Sequence, residues 1–239
     1  MKYLDRTFST PAANLAADEA LLDAAETGTG GELLRFWEPA DSFVVLGYAN
    51  RAAQEVDLGA CASRGVGVFR RCTGGGTVLQ GPGCLNYTLI LPIAEVGDLA
   101  TITGTNRFIM ERQRAAVQSL VAGPVGIAGH TDLVLGELKF SGNAQRRKRR
   151  FLIFHGTFLL HLDLERIAVC LRMPSQQPDY RRNRPHTDFL TNLAVPSAQV
   201  KAALRAAWSA QEVLTAVPAA EIAALAAGRY SSDEWNRRL

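Results

Sequence analysis

Residues 70–92, RRCTGGGTVLQGPGCLNYTLILP, decide how this chain is read. Two arginines close the short branched run VGVFR (66–70) and open the passage. Three glycines follow, a second glycine pair flanks Pro82, and the apolar strand signal LNYTLIL (85–91) ends it. Consecutive glycines give a backbone that can adopt φ > 0 and come close to a ligand, with amide hydrogens able to converge on an anion. The order is neither GxGxxG opening a helix nor GxxxxGK[ST], and it leads into a strand, so context excludes the dinucleotide and Walker readings. On glycine content alone, a plain turn and an anion cradle both stay open. Arg70 and Arg71, fixed cations able to form charge-assisted hydrogen bonds with a phosphate, tilt the passage toward the cradle.

Upstream, Asn14 reads as the N-cap of an amphipathic helix in which Ala17, Ala20, Leu21 and Ala24 recur at three-to-four spacing and Gly28 is the stop. LLRFWE (33–38) and FVVLGY (43–48) read as strands. Downstream, helical character runs from Gly104 to Val121, VGIAGHTDLVL and ELKFSG look extended, and FLIFHGTFLLHL (151–162) is a buried strand or strand pair. Short helices are expected at 164–172, 198–214 and 218–227. The pattern predicts a mixed α+β or α/β domain with helices against a sheet, without clean βαβ alternation. No repeat or linker divides it, so residues 1–239 read as one domain, with the helical tail from about 195 a candidate subdomain.

With 47% hydrophobic and 21% charged residues over 239 positions, the chain is ordinarily globular and long enough for a sizeable core. No run of about 18 uncharged apolar residues occurs, and the N-terminus lacks the apolar centre of a signal peptide, so no membrane partner is expected and the default address is cytoplasmic. Cys61, Cys72, Cys84 and Cys170 are dispersed without CxxC spacing, which predicts reduced thiols. Much of the net charge of +3 comes from Arg146-Arg147-Lys148-Arg149-Arg150. Lacking a recognition helix or interleaved aromatics, that run reads as a solvated hairpin tip, with an acidic protein surface as another use; no nucleic-acid partner is expected.

A second constellation lies in GHTDLVLGELKFSGNAQ. Lys139 sits in extended sequence before Ser141-Gly142, where partial burial would aim its ammonium at a carboxylate or phosphoryl oxygen, although lysines are ordinarily solvated. Asp132 reads as a turn residue or as a metal or hydrogen-bond ligand. His155 must be paired if buried, either as a satisfied core histidine or as part of a pocket wall.

Taken in order, NLAADEALL, LRFWEPADSFVVLGYAN, RRCTGGGTVL, GHTDLVL with LKFSGNAQ, FHGTFLL and TNL (191–193) resemble the successive motifs of the lipoate-protein ligase A family, within the lipoate and biotin protein ligases. The resemblance covers nearly the whole chain. It implies an α+β fold with a mixed, largely antiparallel sheet and flanking helices. It also implies a two-step reaction: lipoate or octanoate and ATP, with Mg²⁺, give an acyl-adenylate and pyrophosphate, and a lysine of a lipoyl acceptor domain or glycine-cleavage H-type protein then takes the acyl group. Lys139 would be the catalytic cation. Arg70, Arg71, Thr73, Gly74, Gly75, Gly76, Thr77, Val78, Leu79, Asp132, His155, Gly156 and Thr157 would join it in holding the substrates, with Asp132 also a candidate Mg²⁺ ligand.

The sequence departs from that pattern in places. Gln80-Gly81 stands where the ligases commonly have His-Asp, Cys84 where they have Asn, and Tyr48 where they have Arg. QGPG is similar to the HGPG of the related octanoyltransferases, which move an octanoyl group from acyl carrier protein through a cysteine thioester. The places where those enzymes carry the cysteine hold Gly126 to Gly129, or IFHGT, in this chain. Cys84 therefore remains as an alternative nucleophile in the glycine passage, where two arginines would lower a thiol's pKa. A non-catalytic lipoyl-domain-binding module is the other alternative. Because the ligases often carry a C-terminal accessory domain that helps adenylation, two alternatives stay open: a separate accessory protein as a further partner, or adenylation without one.

Overall fold

The computed structural model describes all 239 residues. In chain order the elements are β1 (Lys2–Asp5), α1 (Pro11–Thr27), β2 (Leu33–Trp37), β3 (Phe43–Leu46), α2 (Ala52–Glu55), α3 (Leu58–Ser63), β4 (Gly67–Arg70), β5 (Val78–Gln80) and β6 (Cys84–Pro92). There follow α4 (Ile102–Gln118), β7 (Val125–Ala128), β8 (Asp132–Leu135), β9 (Leu138–Arg147), β10 (Phe151–Leu159), α5 (Leu164–Cys170), α6 (His186–Phe189), α7 (Ser197–Ala207), β11 (Glu212–Val213), α8 (Ala219–Leu225) and α9 (Asp233–Asn236). The large sheet has the order β11-β1-β2-β6-β10-β9-β8-β7 and the small one β4-β3-β5. Pairing is antiparallel from β2 through β7 and parallel where β1 meets β2 and β11. The α+β class and the mixed, mostly antiparallel sheet agree with the sequence reading.

Side-chain alternation gives the large sheet two unlike faces. Leu34, Phe36, Leu85, Leu89, Phe140, Leu152, Phe154 and Phe158 point to one side and pack with Ile109, Val117, Leu204 and Trp208 in an apolar core under α4 and α7. Their alternates Arg35, Asn86, Thr88, His155 and Thr157 point the other way, toward α1 and the small sheet. Most polar residues of the candidate site on the central strands lie on that second face, whereas Tyr87 and Asn143 bond each other on the first.

Helix α1 begins earlier than its spacing predicts. Thr10 is the N-cap, accepting from the Ala13 amide, Pro11 opens the first turn, and Gly28 at φ 88° ends the helix. Asn14 is not the cap; it is buried and bonds Phe8 through both N–H and C=O. The tail from 195 packs into the same cores as the rest of the chain. Leu204 joins the core under the large sheet, while Ile222 and Tyr230 join the cluster of α1 with Trp37 and Phe43. No helix is long and apolar enough to cross a membrane.

The basic run at 146–150 is not a free hairpin tip. Arg146 pairs with buried Glu19 and Lys148 with Asp23, and Glu26 accepts from the backbone amides of Arg149, Arg150 and Phe151. Glu19, Asp23 and Glu26 lie one turn apart on one face of α1, so most of the run clamps that helix to the β9–β10 hairpin. Arg147 donates to Thr105 and to the Leu99 and Ala100 carbonyls ahead of α4.

Candidate active site

A cavity of about 970 Å³ opens between the two sheets. Its walls include Arg71, the glycine loop Gly74–Gly76 with Thr77, Val78 and Leu79, then Asp132, Lys139, His155, Gly156 and Thr157. The structure thus gathers two stretches more than 50 residues apart in sequence, each singled out separately above. Arg70 and Thr73 are the exceptions.

Arg71 shapes the loop. Its Nη2 donates to the Gly74 carbonyl at 2.6 Å and the Gly76 carbonyl at 2.8 Å, and its Nε to Thr73 Oγ1 at 3.0 Å. With those carbonyls drawn to one guanidinium, the N–H groups of Gly74, Gly75, Gly76 and Thr77 donate to no protein acceptor. Gly75 has φ 85°, a conformation that a side chain would strain. The result is a row of free amides beside a buried cation that no carboxylate neutralises, which suits an anion. Burial pushes the Arg71 pKa down to about 10, so it stays charged near neutrality.

Arg70 takes a different role from the one its sequence position suggests. It is fully buried and lies outside the cavity wall, donating to the carbonyls of Gly47, Tyr48, Asn50, Trp235 and Asn236. As residue 70 of β4 it points opposite to residue 71, and so ties the C-terminal segment to the turn after β3. Arg238 stacks over Tyr48 at 4.0 Å in the same contact.

Thr73 is sealed from solvent and reaches the site through its hydroxyl. Its Oγ1 lies 2.7 Å from His155 Nε2, and His155 Nδ1 lies 3.0 Å from Asp18 Oδ2. Asp18 Oδ1 accepts from Arg35 at 2.5 Å and Thr88 at 2.9 Å. A carboxylate only accepts, so Nδ1 carries a proton toward Asp18, while Nε2 bonds the Thr73 hydroxyl, whose oxygen accepts from Arg71. Burial works to raise the Asp18 pKa, but the Arg35 charge and the His155 and Arg35 bonds hold it below its ordinary value. The relay thereby links α1 to the glycine loop. Asp18 and Arg35 escaped the sequence reading, although an acid three residues after Leu15 and four before Leu22, on a stripe of buried residues, was a usable signal.

Lys139 sits beside a bulge. Leu133 pairs with Ser141 but Val134 pairs with Lys139, which leaves Phe140 as the extra residue, sunk in the core. The Lys139 carbonyl accepts from Thr191, and its ammonium bonds Asp132 at 2.8 Å while remaining about a quarter exposed to the cavity. The second Asp132 oxygen accepts from the Tyr180 hydroxyl at 2.7 Å. Both Asp132 oxygens are thus engaged, and no group of three His, Cys, Asp or Glu side chains stands ready for a metal. The expectation of Asp132 as a Mg²⁺ ligand does not fit this arrangement; the carboxylate orients Lys139.

Gln80, Asn86 and Thr157 close a triangle of hydrogen bonds of 2.6 to 2.9 Å on the cavity wall. Asn143 accepts from Tyr87 and donates to the Thr131 carbonyl, fixing the β7–β8 turn to β9. It crosses so close to Gly156 that a Cβ there would lie 1.7 Å from Asn143 Oδ1, so position 156 admits only glycine. Leu15, Trp37, Val45 and Val78 supply an apolar stretch of wall.

No cysteine reaches the cavity. Cys84 is buried in the core around Val44 and Leu46, and burial pushes its pKa up to about 12. Cys72 is raised to about 11 by burial and by Glu19, against the opposing Arg146. The expectation that neighbouring arginines lower these thiols is reversed: Arg70 is turned away to carbonyls, and desolvation dominates.

A fold with one apolar and one polar sheet face carries a cavity that pairs loop amides with an oriented lysine, an arrangement suited to an anionic group beside an apolar one. The lipoyl protein ligase A/B catalytic domain model matches residues 10–216, and the chain belongs to that family of lipoylation enzymes, which spans ligases and transferases. Octanoyltransferase LipM of Geobacillus kaustophilus is 28% identical over 98% of this chain and 97% of its own length. The structure of lipoate-protein ligase A bound with ATP is 28% identical, with a TM-score of 0.79 over 99% of this chain and 98% of that one. A bi-partite lipoate protein ligase of Thermoplasma acidophilum, studied with its E2 lipoyl domain, shares the fold at a TM-score of 0.82 and 24% identity, over 99% and 96% of the two chains.

Proposed function

We propose that this chain is a lipoate-protein ligase that activates lipoate or octanoate with ATP and passes the acyl group to a lysine of a lipoyl acceptor domain. The observation that carries the reading is that unengaged loop amides and an oriented ammonium face one cavity that no thiol reaches. The acyl carboxylate attacks the α-phosphorus, the bond to the β-phosphate oxygen breaks, and pyrophosphate leaves. Negative charge gathering on the α-phosphate meets the amides of Gly75, Gly76 and Thr77, the Lys139 ammonium and the field of Arg71, groups fixed before the reaction. Leu15, Trp37, Val45 and Val78 take the acyl chain, whose burial is worth about 0.8 kcal/mol per methylene. In the second step the acceptor amine attacks the acyl carbon and AMP departs, a step that needs alignment more than acid or base because the anhydride is already activated. Mg²⁺ would supply charge neutralisation on phosphate oxygens; this chain offers it no cage of its own, as suits an ion held mainly by phosphates and water.

The relatives named octanoyltransferase raise a second reading, acyl transfer from a carrier protein through a cysteine. That chemistry needs an accessible thiolate, and the burial of all four thiols argues against it. The ATP-bound relative and the ligase studied with its lipoyl domain favour the first reading. Incubation with ATP, Mg²⁺, lipoate and a lipoyl domain is expected to release pyrophosphate and add one lipoyl mass, alone or with a separate accessory subunit. Acylation that proceeds only from octanoyl-carrier protein, without ATP, overturns the proposal.

A further inference from the structure

Beyond Lys139 the cavity is walled by residues 172–190, joined to β9 by the Leu190 bridge to Lys139 and to β8 by Tyr180 on Asp132. Within this wall Arg181 is only 5% exposed, and its hydrogen-bond partners include no carboxylate. Its Nε donates to the Arg184 carbonyl at 3.0 Å and its Nη2 to His186 Nδ1 at 3.3 Å, with the guanidinium 4.7 Å from the Phe189 ring centre. His186 gives its Nε2 proton to the Arg172 carbonyl, which leaves Nδ1 as an acceptor on an uncharged ring. Nothing therefore cancels the Arg181 charge. Its Nη1 has no hydrogen-bond partner and is not among the buried atoms sealed without one, and Arg181 lines the cavity.

A buried guanidinium without a carboxylate is costly unless its donors are met or an anion arrives; each donor nitrogen of Arg70 meets a carbonyl, whereas Arg181 leaves Nη1 unmet. Arg172, exposed and on the same wall, adds a second positive charge. We infer that Arg181, assisted by Arg172, is the subsite for the pyrophosphate leaving group, receiving the β- and γ-phosphates while the α-phosphate sits between Lys139 and the glycine loop. The inference rests on the ATP-dependent reading above and extends it: charge that moves onto the β-phosphate bridging oxygen as the bond breaks is met by a guanidinium already held in place.

The test is calorimetric binding of inorganic pyrophosphate to the whole chain, together with two half-reactions, adenylate formation from ATP and aminolysis of synthetic lipoyl-adenylate. Arg181→Gln is expected to weaken pyrophosphate binding by at least about tenfold, and to lower adenylate formation by at least about ten times more than aminolysis. Equal pyrophosphate affinity in the wild type and the variant overturns the subsite, and so does a parallel loss in both half-reactions, which marks a scaffold role. Should Arg181→Gln melt at ambient temperature, Arg181→Lys and Arg172→Gln carry the same comparison, each expected to weaken pyrophosphate severalfold, with unchanged affinity in both counting against the subsite. A wild type that binds pyrophosphate through Arg181 but forms no adenylate would defeat the ligase reading and leave the anion subsite standing. Adenylate formation that is insensitive to Arg181→Gln would do the reverse.

Discussion

Arg71 and Arg181 stand on two walls of one cavity, both buried and neither paired with a carboxylate. Arg71 turns its guanidinium onto the Gly74 and Gly76 carbonyls, so that it binds a ligand only through the amides it exposes and the field it leaves behind. Arg181 is held by one carbonyl, one imidazole and the Met173 sulfur and leaves Nη1 without a partner. A buried arginine can thus shape the backbone that meets a ligand or meet the ligand itself, and the count of satisfied N–H groups separates the two. Lys139 lies between these walls and is of neither kind, because its ammonium is oriented by one carboxylate while remaining open to the cavity.

The sharpest way to break this picture is to remove the cation both walls share. Lys139→Ala is expected to slow adenylate formation by about 10³-fold, roughly 4 kcal/mol on the barrier, the size of effect seen when a fixed transition-state donor is lost. The melting temperature should move little, since the side chain is partly exposed and Asp132 keeps its bond to Tyr180. Unchanged adenylate formation would refute the role given to Lys139.

Next in size is the support behind the Arg71 wall. Asp18→Asn keeps the shape of the relay but leaves Arg35 buried without its counter-charge, at a cost of about 3 kcal/mol. The folded Asp18 pKa lies below its ordinary value, so its stabilising contribution is complete above the unfolded carboxyl range and is lost as pH falls through the lower folded value. Melting curves of the wild type between pH 7 and strong acid should show that loss, and Asp18→Asn should flatten it. An equally steep acid slope in the variant would place the titration on another group.

The sequence showed the second face of the sheet less clearly than the first. Strand positions and the long helices were readable because apolar residues recur with the right period, and the glycine loop and Lys139 because their types imply chemistry. LNYTLIL and FLIFHGTFLL read as runs of apolarity, yet their polar members Asn86, Thr88, His155 and Thr157 alternate with the core residues and all face α1 and the cavity. Asp18, Arg35, Asn143, Tyr180 and Arg181 remained hidden for a different reason. For the first four, importance comes from partners 17 to 137 residues away in sequence, and no local pattern encodes such a pairing; Arg181 has local partners, Arg184 and His186, but nothing in the sequence says that it is buried on a cavity wall. The same holds for the difference between Arg70 and Arg71: two identical neighbours face opposite ways because residues 235 and 236 return to meet one of them.

That return gives a prediction of intermediate size. Arg70→Ala strands carbonyls of Gly47, Asn50 and Asn236 and is expected to cost about 2 kcal/mol, with water recovering part of the loss. If Arg70 only braces the fold, activity below the melting transition should fall far less than in Arg71→Ala, measured as adenylate formation at low temperature. A larger fall in Arg70→Ala than in Arg71→Ala would mean that the two arginines have been assigned the wrong way round.

The smallest effect is expected at Cys84. Exchanging its thiol for a hydroxyl puts a polar group into the core around Val44, Leu46 and Cys170, at a cost of about 1 kcal/mol. Acyl transfer should continue at close to the wild-type rate, because the thiol lies outside the cavity and burial keeps it protonated, with a pKa of about 12. A thioester route predicts the opposite: Cys84→Ser would lose turnover at full stability, and an acyl-enzyme trapped on the wild type would be missing from the variant. Mass spectrometry of both proteins after exposure to octanoyl-carrier protein therefore separates a ligase that excludes thiols from its cavity from a transferase that moves one into it.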